Sequence, residues 1–156
     1  MQEIKNEMKI TLSALSCNEA VARSVVTAFA MQTDPSVNEL ADIKTAVSEA
    51  VTNSIVHGYR NKNGKIEIIC RILEGNIFYI RVTDRGCGIA DVKQAMEPLF
   101  TTAPQEERAG LGFAVMESFM DNVVVKSTLG KGTSVIMKKK IFSAKLVKAG
   151  AADNEH

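Results

Sequence analysis

The sequence predicts an α+β two-layer sandwich, a mostly antiparallel mixed sheet with helices on one face. Three observations carry this. Two pairs of alternating apolar segments are each joined by a short glycine-containing turn, Glu74-Gly75-Asn76 and Leu129-Gly130-Lys131-Gly132, and read as two hairpins. An alternating stretch near the N-terminus adds a further strand. Three segments of helical periodicity separate these strands. At 156 residues, 46% of them hydrophobic, the chain is long enough for one domain with its own core. That domain is expected over residues 1–143, with 144–156 a fraying tail, because periodicity is lost from about Ala144.

In chain order, Met8 to Leu15 alternates as a strand. Ser16-Cys17-Asn18-Glu19 has the form of a capping box and opens a helix running to about Met31, with Val21, Val25, Ala28 and Phe29 as its apolar stripe and Arg23 away from it. Thr33-Asp34-Pro35-Ser36 is a turn, with Ser36 or Asp34 capping a second helix that runs to Val56 or His57 and stops at Gly58. Strands follow over Lys65 to Leu73, with Ile66, Ile68, Cys70 and Ile72 on one face, and over Ile77 to Thr83, with Phe78, Ile80 and Val82 on one face. From Asp84 to Gly110 the chain reads as loop, broken by a short helix at Asp91 to Met96; a connection of that length inside a compact domain is a sign of function or disorder. A third helix is expected over Gly112 to Met120, then strands over Asn122 to Thr128 and Thr133 to Lys139.

Charge and cysteine usage narrow the function. Nineteen basic against 18 acidic residues give a net charge of +1, so no overall field draws the chain to nucleic acid or to an anionic membrane. No stretch approaches the roughly 20 apolar residues of a membrane span, and Glu3, Lys5, Glu7 and Lys9 leave no secretory h-region, so a cytoplasmic protein is expected. Cys17, Cys70 and Cys87 are odd in number and lack C-x-x-C spacing, which argues against a disulfide framework and a zinc site alike.

Chemistry-bearing residues fall in three places. On a wheel of about 3.6 residues per turn, Val37, Leu40, Ile43, Val47, Val51 and Ser54 share one face of the second helix, while Glu49 and Asn53 project together from the opposite one. Asp84-Arg85-Gly86-Cys87-Gly88 directly follows a strand, putting a carboxylate at a strand end and two glycines in an irregular turn; a buried acceptor there suits a ligand amino group. Ala109-Gly110-Leu111-Gly112 leads into the third helix, where backbone N–H groups unobstructed by side chains suit phosphate oxygens. Thr101, Thr102 and Arg108 add hydroxyls and a cation to the loop before it. The chain has no G-x-x-x-x-G-K-[ST] and no H-R-D or D-F-G set, which sets aside a P-loop and a eukaryotic-type kinase.

The order of these parts, E-x-x-x-N on a helix, D-x-G-x-G after a strand, G-x-G before a helix and Gly132-Thr133 opening a strand, resembles the Bergerat-type (GHKL) ATP-binding fold shared by gyrase, histidine kinases and mismatch-repair ATPases. Ser48-Glu49-Ala50-Val51-Thr52-Asn53, His57-Gly58-Tyr59 and Pro98-Leu99-Phe100-Thr101-Thr102 look like the anti-sigma factor serine kinases of sporulation within that superfamily. The resemblance implies binding of ATP or ADP with Mg²⁺. It implies that Asn53 offers its amide oxygen to Mg²⁺ and that Glu49 is the general base. Asp84 would accept the adenine amino group with Thr133 supporting the same edge. Gly86 and Gly88 would allow close approach of the nucleotide, Thr101 and Thr102 would close over it, and Gly110, Leu111 and Gly112 would cradle phosphates. Arg108 would neutralise γ-phosphate charge. The partners it implies are a sigma factor of RNA polymerase and an anti-anti-sigma antagonist phosphorylated on serine, with the chain a homodimer. Arg23, away from the apolar stripe of its helix, reads first as a solvated residue and second as a contact for a protein partner. Other readings of the same residues are a related stress-response anti-sigma kinase, a histidine-kinase catalytic domain, and a non-catalytic module whose binding surface is shaped by nucleotide.

Overall fold

A computed structural model describes residues 2–97 and 108–142. Five strands form one sheet, β1 (Ile4–Ser13), β2 (Lys65–Leu73), β3 (Ile77–Asp84), β4 (Asn122–Thr128) and β5 (Gly132–Lys140), in the order β1-β2-β3-β5-β4. All four pairings are antiparallel, so among the described residues the sheet is not mixed. Both hairpins, β2–β3 and β4–β5, form as expected. The helices are α1 (Cys17–Ala30), α2 (Val37–Asn53), α3 (Val92–Ala95) and α4 (Arg108–Phe119).

The alternation of the strands decides the layers. Ile66, Ile68 and Cys70 on β2, Phe78, Ile80 and Val82 on β3, and Val135 and Met137 on β5 point to one side, where they share a core with Val26, Val47, Val51, Phe113 and Met116 of the helices. The other side carries a small cluster of Ile69, Leu73 and Tyr79, with the Arg71 guanidinium 5.0 Å over the Tyr79 ring. The helix α2 packs between α1 and α4 and against the sheet, burying Ile43, Ala46, Val47, Ala50 and Val51.

Several expected boundaries move. β1 begins at Ile4, not Met8, because pairing with β2 resumes beyond an irregularity between Ile4 and Asn6; the charged residues there hide an edge strand from an apolar pattern. No capping box forms at Ser16, whose backbone is already helical and whose side chain caps nothing. Glu19 instead accepts from Ser48 Oγ at 2.5 Å and lies 3.4 Å from Arg23. The buried stripe of α1 is Ala22, Val26, Phe29 and Ala30, one step round from the expected one, and Val21 is exposed. The box that does form is at Ser36, with Glu39 N donating to Ser36 Oγ at 3.1 Å and Ser36 N to Glu39 Oε1 at 2.9 Å. Val37, expected on the apolar face of α2, is 85% exposed. After Asn53 the helix widens into a π turn over Ser54–Gly58, where an unbroken α-helix was expected. The third long helix starts at Arg108, so Gly110, Leu111 and Gly112 lie inside α4 and not in a loop ahead of it. The expected tail, the Pro98-to-Thr102 motif and with it Thr101 and Thr102 lie outside the described residues.

Candidate functional site

The site is built where the end of α2 meets the end of β3. Glu49 and Asn53 lie one turn apart, and α4 crosses above them so closely that a Cβ on Gly112 would stand 3.1 Å from Asn53 Nδ2 and 3.2 Å from Glu49 Oε2. Glycine at 112 is what lets that helix reach them. The Nδ2 atom of Asn53 is buried and has no hydrogen-bond partner among the described residues.

Asp84, the last residue of β3, is 5% exposed. Ser54 Oγ donates to its Oδ2 at 2.9 Å and Gly86 N to its Oδ1 at 3.0 Å, and the Thr133 backbone N–H adds a third bond. Burial pushes the Asp84 carboxyl above the usual carboxylate range, and these three donors offset only part of that rise. Thr133, paired with Asp84 across β3 and β5, thus supports the carboxylate through its backbone; its hydroxyl lies 2.8 Å from Ser127 Oγ.

The two glycines of the D-x-G-x-G loop face protein, not open space. A Cβ on Gly86 would fall 2.1 Å from the Gly58 carbonyl oxygen, and that oxygen accepts from Cys87 N at 2.8 Å. Gly88 has φ +72° and a Cβ there would fall 2.2 Å from the Thr128 carbonyl oxygen. The loop is therefore clamped between the π turn and the β4–β5 hairpin. Tyr59 fastens the same junction, its hydroxyl accepting from Arg85 N at 2.8 Å and donating to Lys65 O at 2.5 Å.

Between these elements lies a cavity of about 300 Å³, whose walls include Ala50, Asn53, Asp84, Ile89, Phe113 and Thr133. Apolar walls with a few convergent polar groups suit a planar base carrying an amino group. Glu49 is not in the lining; it sits one turn further along α2, towards its N-terminus. Gly88 lines the cavity and Gly86 backs it, while Cys87 lines it with its thiol donating to His57 O at 3.1 Å. Arg23 is not among the lining residues. The backbones of Arg108, Gly110 and Leu111 form the first turn of α4, whose N–H groups have no partner within the helix. Sequence reasoning missed Ser54 and Tyr59. A serine on an otherwise apolar face was the available signal for the first, since a buried hydroxyl needs a partner.

Residues 12–139 match the family model described as the histidine kinase-like ATPase domain. The anti-sigma F factor of Geobacillus sp. strain WCH70 is 50% identical over 142 residues, spanning 91% of this chain and 97% of that protein. That of Thermoanaerobacter sp. strain X514 is 56% identical over 143 residues, spanning 92% and 99%. The chain belongs to the anti-sigma F factor family of histidine kinase-like ATPase domains. Among solved structures, this anti-sigma F factor family member superposes on the RsbU and RsbW domains of a Mycobacterium tuberculosis protein with a TM-score of 0.64 at 19% identity, covering 88% of this chain and 33% of that one. It superposes on the histidine kinase domain of the Erythrobacter litoralis blue-light activated kinase with a TM-score of 0.54 at 18% identity, covering 80% and 60%. The chain thus spans a third of the first and under two thirds of the second, and at these identities the likeness is one of fold. Histidine kinase-like ATPase domains are nucleotide-binding domains, and the cavity here sets a few polar groups in largely apolar walls.

Proposed function

We propose that the chain is an ATP-dependent protein serine kinase that also acts as a protein-binding switch. It holds a sporulation sigma factor of RNA polymerase inactive and phosphorylates an anti-anti-sigma antagonist on serine. The observation that carries this reading is a donor-held Asp84 on the wall of a largely apolar cavity, with Asn53 beside it and Glu49 one turn beyond. An adenine amino group donating to Asp84 leaves the phosphates to run along α2 towards Asn53 and Glu49. Glu49 then takes the proton from the incoming serine hydroxyl as general base. The buried Asn53 Nδ2 has no partner among the described residues, and a half-turn of the amide would bring its oxygen to that position, where it suits a hard cation. Magnesium bound there supplies neutralising charge to the phosphates.

The remaining assignments follow the same direction. Thr133 backs Asp84, Gly86 and Gly88 hold the loop in place, and Gly110, Leu111 and Gly112 bring the start of α4 to the phosphates. Arg108 neutralises γ-phosphate charge, and Thr101 and Thr102 close over the nucleotide, ATP or ADP. Arg23, half exposed on α1, contacts a protein partner. β1 is an edge strand, which supports a homodimer paired through it. No helix among the described residues is long and apolar enough to cross a membrane; the cytoplasmic setting rests on the family to which the chain belongs.

The test is phosphotransfer. Wild type incubated with Mg²⁺, γ-labelled ATP and an antagonist protein is expected to leave acid-stable label on an antagonist serine. Glu49→Gln is expected to bind nucleotide and lose transfer by about a hundredfold or more. Transfer at the wild-type rate in Glu49→Gln contradicts the general base. Acid-labile label points to a histidine kinase domain, and nucleotide-dependent capture of sigma factor without label to a sequestering module.

A further inference from the structure

We infer that Ser54 is a positioning residue for the nucleotide base: its hydroxyl fixes the Asp84 carboxylate so that one acceptor direction is left for the ligand, and so sets a preference for a 6-amino over a 6-oxo purine. This rests on the proposed reading of the cavity as an ATP site. Ser54 is 4% exposed, at the point where α2 becomes the π turn and in line with Val47 and Val51 on the core side. A hydroxyl buried there needs a partner, and its partner is Asp84 Oδ2 at 2.9 Å.

A carboxylate has about four acceptor directions. Ser54 occupies one, Gly86 N–H another and Thr133 N–H a third. Gly58 packs against the same carboxylate so closely that a Cβ there would be 3.0 Å from its atoms, so glycine at 58 leaves the carboxylate its place among these donors. One direction remains for a ligand N–H. A 6-amino purine supplies that donor, whereas a 6-oxo purine sets its oxygen against the carboxylate. Removing the Ser54 hydroxyl leaves a desolvated carboxylate with less support for its charge, so it protonates at higher pH. The protonated group then donates to a 6-oxo oxygen and loses its advantage with adenine.

Other groups surround the same carboxylate. The loop presents Gly86 N–H, β5 presents Thr133 N–H, and the charged or titratable side chains of the cavity wall are His57, Arg60, Cys87 and Asp91. These are common to wild type and to a Ser54 variant, so the ratio between the two isolates the serine.

The experiment is calorimetric titration of Mg-ATP and Mg-ITP into the full chain, wild type, Ser54→Ala and Ser54→Thr, at pH 8 and pH 6. Wild type is expected to prefer ATP at both. Ser54→Ala is expected to bind ATP about threefold more weakly at pH 8 and about tenfold more weakly at pH 6, with its ATP-over-ITP preference narrowed most at pH 6. Ser54→Thr, which keeps the hydroxyl, is expected to follow wild type. A merely structural serine lowers the thermal midpoint without changing nucleotide preference. Equal ATP loss at both pH values with an unchanged ATP-over-ITP ratio in folded Ser54→Ala overturns the inference. Wild type that binds neither nucleotide overturns the ATP reading itself, and this inference with it.

Discussion

A carboxylate as buried as Asp84 keeps its charge only if donors replace the water it has lost, and those donors come from three separate pieces of chain. Their convergence depends on how closely the loop after β3 approaches the π turn. Gly86 is the contact point, since a methyl group there meets the Gly58 carbonyl carbon at 2.3 Å, where backbone has nowhere to go. Gly86→Ala is therefore expected to destabilise the fold by about 2–3 kcal/mol, read as a lower urea midpoint, and to weaken ATP binding as the loop shifts. Unchanged stability in that variant shows that the loop has other room. The residue scale also shows what a sequence can carry. Asp84 was legible because a strand pattern ends on it and glycines follow at once. Ser54 was not, because its partner lies 30 residues away and only a folded chain brings them together. The glycines were legible as tight positions, but the atoms they meet are the protein's own carbonyls, and no local pattern says so.

Two S-x-x-E segments make the same point for elements. Ser16 to Glu19 and Ser36 to Glu39 have the same form, yet only the second closes a capping box. Packing decides between them. Glu19 is drawn to Ser48 on the neighbouring helix and to Arg23, while Glu39 stays with Ser36 and also accepts from Phe142 N at 2.8 Å. Ser36→Ala is expected to cost about 1 kcal/mol in thermal or urea unfolding, and Ser16→Ala less than about 0.5 kcal/mol. Equal losses contradict the difference seen between the two caps. The π turn was hidden for a related reason: Ser54 to Gly58 has ordinary helical periodicity, and the widening follows from Tyr59 N bonding to Ser54 O at 2.9 Å in the presence of the loop it must meet. The start of α4 was read too late because glycines at 110 and 112 weaken a helical signal; there the short side at Gly112 serves contact with Glu49 and Asn53.

At the scale of the molecule, the two-layer arrangement, both hairpins and the strand faces were legible because period-two alternation is strong wherever one face is buried. The sheet gives the cavity Thr133 and Val135, α2 gives it Asn53 with Glu49 one turn beyond, and the end of β3 gives it Asp84, so one cavity collects residues from segments far apart in sequence. The central claim is that this cavity holds ATP through Asp84 and leaves Glu49 for the transfer step. The most direct measurement is calorimetric titration of Mg-ATP into wild type, Asp84→Asn and Glu49→Gln side by side. Wild type and Glu49→Gln are expected to bind within about twofold of each other, and Asp84→Asn about thirtyfold or more weakly, the loss of a hydrogen bond to a charged group in a buried site. Asp84→Asn binding ATP as tightly as wild type contradicts the account, because the base would then be held elsewhere.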